Sequence, residues 1–130
     1  MYIRYQAKRE LKSGHSIDTW YELECGITKT DEKRNVRKVV NESLSGSDDT
    51  LYIGAKKVWD VTTIDFDSSE QDDWDEFIAS IESGEMFFYS PYGTIASHAD
   101  ENQVNVVGTP IKNRVGRIGD FEYSFQCKEI

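Results

Sequence analysis

A chain of 130 residues suits one domain, spanning 1–130. Hydrophobic residues make up 38%, enough for a modest core, which excludes a globally disordered chain. The 24 acids against 15 bases leave a formal charge of −9, so the chain as a whole repels nucleic acid and anionic membranes.

In chain order, the polar opening MYIRYQAKRELKSG lacks the apolar centre of a signal peptide, and no later stretch is long or apolar enough to span a bilayer. Synthesis and initial residence in a cytoplasm are therefore expected. YIRYQ (2–6) reads as extended and LKSGHSIDT (11–19) as a loop. WYELECGIT (20–28) alternates, placing Tyr21, Leu23, Cys25 and Ile27 on one face and Glu22 and Glu24 on the other, as a half-buried strand does. KRNVRKVVNESL (33–44) is ambiguous: Val36, Val39 and Val40 fit a helix face, while β-branched residues favour a strand. SGSDD (45–49) reads as a turn, TLYIG (50–54) as a short strand and KKVWDVTTIDF (56–66) as a second one.

A helix is expected over 69–83, where Trp74, Phe77, Ile78 and Ile81 form one apolar stripe. Ser68 or Ser69 can cap it, Glu70, Asp72 and Asp73 suit its positive end, and Gly84 is placed to stop it. EMFFYS (85–90) reads as a strand, and PYG turns the chain. TIASHADENQ (94–103) and TPIKNRVGRIGD (109–120) read as loops, and VNVVG (104–108) as a strand between them. FEYSFQCKE (121–129) alternates, with Phe121, Tyr123, Phe125 and Cys127 inward. About seven strands and one helix predict a mainly β (α+β) fold: an antiparallel β-sandwich or barrel with one packed helix.

The chemistry-bearing residues yield no catalytic or cofactor signature. Asp65, Asp67, Ser69, Gln71, Asp73 and Glu76 occupy the ligand positions of a twelve-residue calcium loop. The required glycine at position 6 is Glu70, however, and the apolar stripe needs these residues to be helical, so the acids read as a helix start. At most Asp65 and Asp67 could form a weak cation site. Cys25 and Cys127 have no zinc spacing and read as buried thiols. His15 and His98 sit beside acids in loops, but there is no nucleophile elbow and no HxxxH, so a hydrolase is a minor reading. Trp59, Tyr89 and Tyr92 could stack on a sugar in a carbohydrate-binding sandwich, although the periodicity of Trp59 points to core. No metal, cofactor or nucleic-acid contact is expected.

Charge is segregated along the chain. Nine acids fall between Asp65 and Glu85, while bases cluster at Arg34, Arg37 and Lys38 and at Lys112, Arg114 and Arg117. One reading is self-complementarity, in which these bases meet Asp65, Asp67, Asp72 and Asp73 of a neighbouring copy.

Laid out in order, NESLSGSDDTLYIGAKKVWDVTTIDF, an amphipathic helix and IESGEMFFYSPYG resemble the small minor tail proteins of long-tailed bacteriophages. The shared pattern is an SLSG turn, a strand ending in W-x-V-T, a helix with an aromatic stripe and a GE-x-F-x-x-x-PYG segment. The opening IRYQAKRELKSGH is similar too, so the likeness spans nearly the whole chain. The resemblance implies a structural role in a tail or baseplate and a tail-tube-like β-sandwich flanked by one helix. It also implies a ring, often hexameric, with other tail proteins as partners and the virion as location. In such rings strands of neighbouring subunits join, and loops or hairpins reach into adjacent rings. A single domain is expected, without the extra domain of larger distal-tail proteins.

Overall fold

The computed structural model describes residues 1–9, 11–25, 29–42, 48–64, 68–115 and 120–130, with backbone alone at 29, 35, 37–42, 48–54 and 68–69. The elements run β1 (Tyr2–Gln6), β2 (Trp20–Glu24), β3 (Lys29–Glu42), β4 (Asp48–Thr62), α1 (Ser68–Ile81), β5 (Phe87–Ser90), β6 (Asn102–Val115) and β7 (Asp120–Glu129). All seven strands join one antiparallel sheet in the order β2-β1-β5-β6-β7-β4-β3. The expected mainly β fold with one helix is present, as a single sheet curled into a half-barrel.

On β2 and β7 the inward positions are those that alternation marks, except that Tyr21 and Phe121 are only half-buried. Ile3 and Tyr5 on β1, Leu23 on β2, Trp59 and Val61 on β4, Phe87 and Tyr89 on β5, and Tyr123, Phe125 and Cys127 on β7 are buried in one cluster with Trp74, Phe77 and Ile81 of α1. Phe77 is its centre: Tyr5, Trp74, Phe87 and Phe125 all pack edge-on to it, with ring centroids 5.3–5.7 Å away. The helix stripe therefore fills the hollow of the curled sheet. Gly84, at φ 94°, closes the helix end and donates its N–H to the Ile81 carbonyl. The expected caps Ser68 and Ser69 lie where only backbone is described.

Two segments differ from expectation. Residues 33–42, ambiguous in sequence, are strand, and β4 is continuous from 48 to 62 instead of two pieces. β4 pairs with β7 only over Val58–Thr62, so the rest of the β3–β4 hairpin projects beyond the sheet as a two-stranded arm. Val36 is exposed there, so burial does not mark a strand period at it; the side chains of Val39 and Val40 lie outside the described residues. The pairing slips between Arg37 and Lys38, where Ile53 is the extra residue of a bulge.

The second difference is at 109–115, read as loop but built as the far half of β6, paired with Asp120–Ser124 of β7. GTP, residues 108–110, breaks the pattern because it is a bulge within the strand. Three β6 residues stand opposite Phe125, and Gly108 takes φ 72°. Asn102 and Gln103, placed in the preceding loop by sequence, begin the same strand. The intended turn at 45–49 falls partly outside the described residues, as do Ile27 and the tip at 116–119; Asp48 and Asp49 open β4.

Candidate assembly surface

The candidate interface residues occupy three places. Arg34, Arg37 and Lys38 lie on β3, the outermost strand, within or at the root of the projecting arm. Arg34 is exposed, while Arg37 and Lys38 are described as backbone, opposite Gly54 and Tyr52. Lys112 and Arg114 lie on β6 beyond its bulge, at positions opposite Tyr123 and Phe121. Asp72 and Asp73 are in the second turn of α1. Asp65, Asp67 and Arg117 lie outside the described residues.

Lys112 and Asp73, two of the candidate residues, are paired within the chain, each with a residue outside the expected set. Lys112 Nζ lies 3.0 Å from Asp75 of α1, and its ammonium sits over the rings of Phe121 and Tyr123. Asp73 is 3.0 Å from Lys12 Nζ. Tyr123 adds an O–H bond to Asp75 Oδ1, 2.8 Å, and burial followed by that carboxylate pushes its pKa up. The acidic helix start is therefore held down by β6 and by the 8–18 loop. Asp72 remains exposed.

Sequence reasoning missed Glu76. Its side chain is fully buried and takes three short hydrogen bonds of 2.6 Å each. Tyr5 O–H and His15 Nδ1 meet Oε1, and the Lys12 backbone N–H donates to Oε2. The His15 ring stacks on Tyr21, with centroids 3.7 Å apart. Burial pushes the Glu76 pKa up, but the donors outweigh it and hold the carboxyl below its ordinary value. Burial and the same carboxylate raise the pKa of Tyr5.

At about 100° per residue, Glu76 lies some 200° round the helix from Trp74, away from the stripe. It is buried because the 8–18 loop covers that side, where the Lys8 N–H also bonds Ser80 Oγ at 3.0 Å. The only trace in sequence is the i,i+4 pair Glu76 and Ser80. The covering loop has no periodicity to announce it.

The other chemical readings meet the following geometry. The calcium frame is helical from Ser68, and its twelfth position is this inward Glu76. Among the described residues no group of three His, Cys, Asp or Glu side chains could hold a metal ion. His15 is spent on Glu76 and Tyr21. His98 stacks on Tyr2 at 4.1 Å and lies 3.4 Å from Glu101, pinning the 91–101 loop onto the outer face of β1. Neither histidine has a serine hydroxyl among its hydrogen-bond partners. Trp59 and Tyr89 are core, and of the proposed sugar platform Tyr92 alone is exposed. Cys25 and Cys127 are free and buried; burial pushes the first thiol up to about 11 and raises the second further. No helix among the described residues is long and apolar enough to cross a membrane.

No family model matches this sequence, and no curated protein matches it.

Proposed function

We propose that the chain is a non-catalytic structural subunit of a phage tail or baseplate, assembling with copies of itself as a ring or adaptor between tail components. The observation that carries the reading is the β3–β4 arm. Residues 48–56 of β4 have no strand partner on the β7 side, the Lys57 N–H is taken by the Glu129 carboxylate, and β3 is the edge of the sheet along its whole length. At about 3.3 Å per residue the free part of the arm extends roughly 30 Å. A two-stranded ribbon of that length is marginal in water and presents unpaired N–H and C=O groups on both sides. A partner chain that adds strands or packs on the arm removes both liabilities.

The rest of the molecule supports the same reading. Its polar clusters are spent on holding loops in place, and the sequence pattern resembles small tail proteins. Six copies, other tail proteins as neighbours and a place in the virion follow from that resemblance. Native mass spectrometry and negative-stain electron microscopy of the purified protein test it. Closed rings or discrete oligomers are expected; a monomer at every concentration up to the millimolar range overturns it.

A further inference from the structure

The outer face of the sheet is covered unequally. The 91–101 loop lies over β1 and β2, where His98 stacks on Tyr2 and the Ile95 N–H reaches Glu24. Over β4, β7 and β6 there are instead two adjoining hollows of about 370 Å³ each, which share Val107 and Gln126. Val58, Val107 and Ile111 form an apolar row there, with Val107 39% and Ile111 52% exposed. Lys33, Arg34 and Lys128 line the β3 end, and Asp60, Ser124 and Gln126 line much of the rest; Lys33 Nζ is already paired with Asp60, 2.8 Å away. The hollow at Ile111 exists because the β6 bulge interrupts the strand.

On the opposite side of the sheet, the 11–18 loop displays Leu11, 41% exposed, and Ile17, 60% exposed. The buried Glu76 carboxylate fixes this loop at Lys12 and His15, and the helix turn to which Lys12 is tied carries the exposed Asp72. A loop held by a buried carboxylate is pre-organised, which lowers the ordering cost of docking.

Resting on the assembly reading above, we propose that the 11–18 loop of one copy is the knob that fills the outer groove of the next. Leu11 and Ile17 cover Val107 and Ile111, and Asp72 faces the Arg34 end. A second copy is the occupant because the two surfaces are complementary in apolar contact and in charge: exposed apolar side chains beside an acid on one, exposed Val107 and Ile111 beside Arg34 and Lys128 on the other. They lie on opposite sides of the sheet, so they cannot meet within one subunit. The contact is therefore head-to-tail, the kind that closes into rings or runs into filaments.

The test uses two variants of the full chain, Ile17→Asp for the knob and Val107→Asp for the groove, at exposed positions where the monomer should tolerate a charge. Each alone should raise the assembly midpoint roughly tenfold or more, as loss of a central apolar contact does. Mixed together, they should form a one-to-one dimer that grows no further, because the mixture contains one intact knob and one intact groove per pair. A photo-crosslinker at position 111 should capture the peptide containing Ile17. Wild-type assembly with both variants unaffected, or a crosslink to the arm instead, overturns this contact and leaves the assembly reading standing. A wild-type chain that stays monomeric overturns both.

Discussion

At the scale of single residues, Glu76 does more than its position on the helix wheel suggests. A carboxylate with no water contact is tolerable only because three donors converge on it. Glu76→Gln keeps the shape but turns an amide N–H₂ toward either the Lys12 N–H or the Tyr5 and His15 donors, setting donor against donor. We expect a loss of about 2 kcal/mol in denaturant unfolding. Because the folded pKa lies below the ordinary value of 4.5, the charged form's contribution is fully present above that value. It is lost as pH falls through the lower, folded value. Wild type should therefore lose stability progressively on acidification below about 4.5, and Glu76→Gln should flatten that acid limb. Equal acid limbs in the two proteins would show that other carboxylates dominate.

At the scale of elements, what the sequence disclosed depends on whether a segment faces a core. β2 and β7 show their alternation because their inward residues are buried more deeply than the residues between them. α1 shows its stripe for the same reason. The arm was obscure because its valines fit a helical and a strand period alike, and the far half of β6 because it carries its bulge at a Gly–Thr–Pro that looks like a turn. The bulge gives a sharp prediction. A Cβ at Gly108 would meet nothing within 4 Å, so Gly108→Ala costs only backbone strain at φ 72°, about 1 kcal/mol. A much larger loss in thermal or denaturant melts would mean that the space is in fact filled. The arm gives another. In dilute protein its amides at 34–42 and 48–57 should exchange with solvent far faster than those of β1 or β7, because a lone ribbon opens locally. Hydrogen-exchange mass spectrometry at assembling concentrations should show that same segment, and little else in the sheet, becoming protected. Residues of the candidate interface were legible as charge blocks. Their partners were not, because cis pairs such as Lys112 with Asp75 join segments far apart in the chain.

At the scale of the whole molecule, the formal charge of −9 opposes self-association, while the proposed contact sets Asp72 against Arg34. Range separates the two effects. Repulsion between whole subunits acts over distances beyond the Debye length, about 8 Å at 0.15 M salt, and is largely screened there. Ion pairs at contact distance are screened far less, and continue to weaken as salt rises further. Between 0.15 and 0.5 M salt the assembly midpoint should therefore rise, by a few-fold for one or two rim pairs worth up to about 1 kcal/mol each. Arg34→Glu should raise the midpoint at 0.15 M and reverse its salt dependence, since the substituted acid now faces Asp72 and is relieved by screening. Sedimentation velocity at the two salt concentrations reads both effects. If Arg34→Glu shifts the midpoint but leaves the rise with salt intact, Arg34 acts through packing of its aliphatic stem; the salt dependence then belongs to other bases.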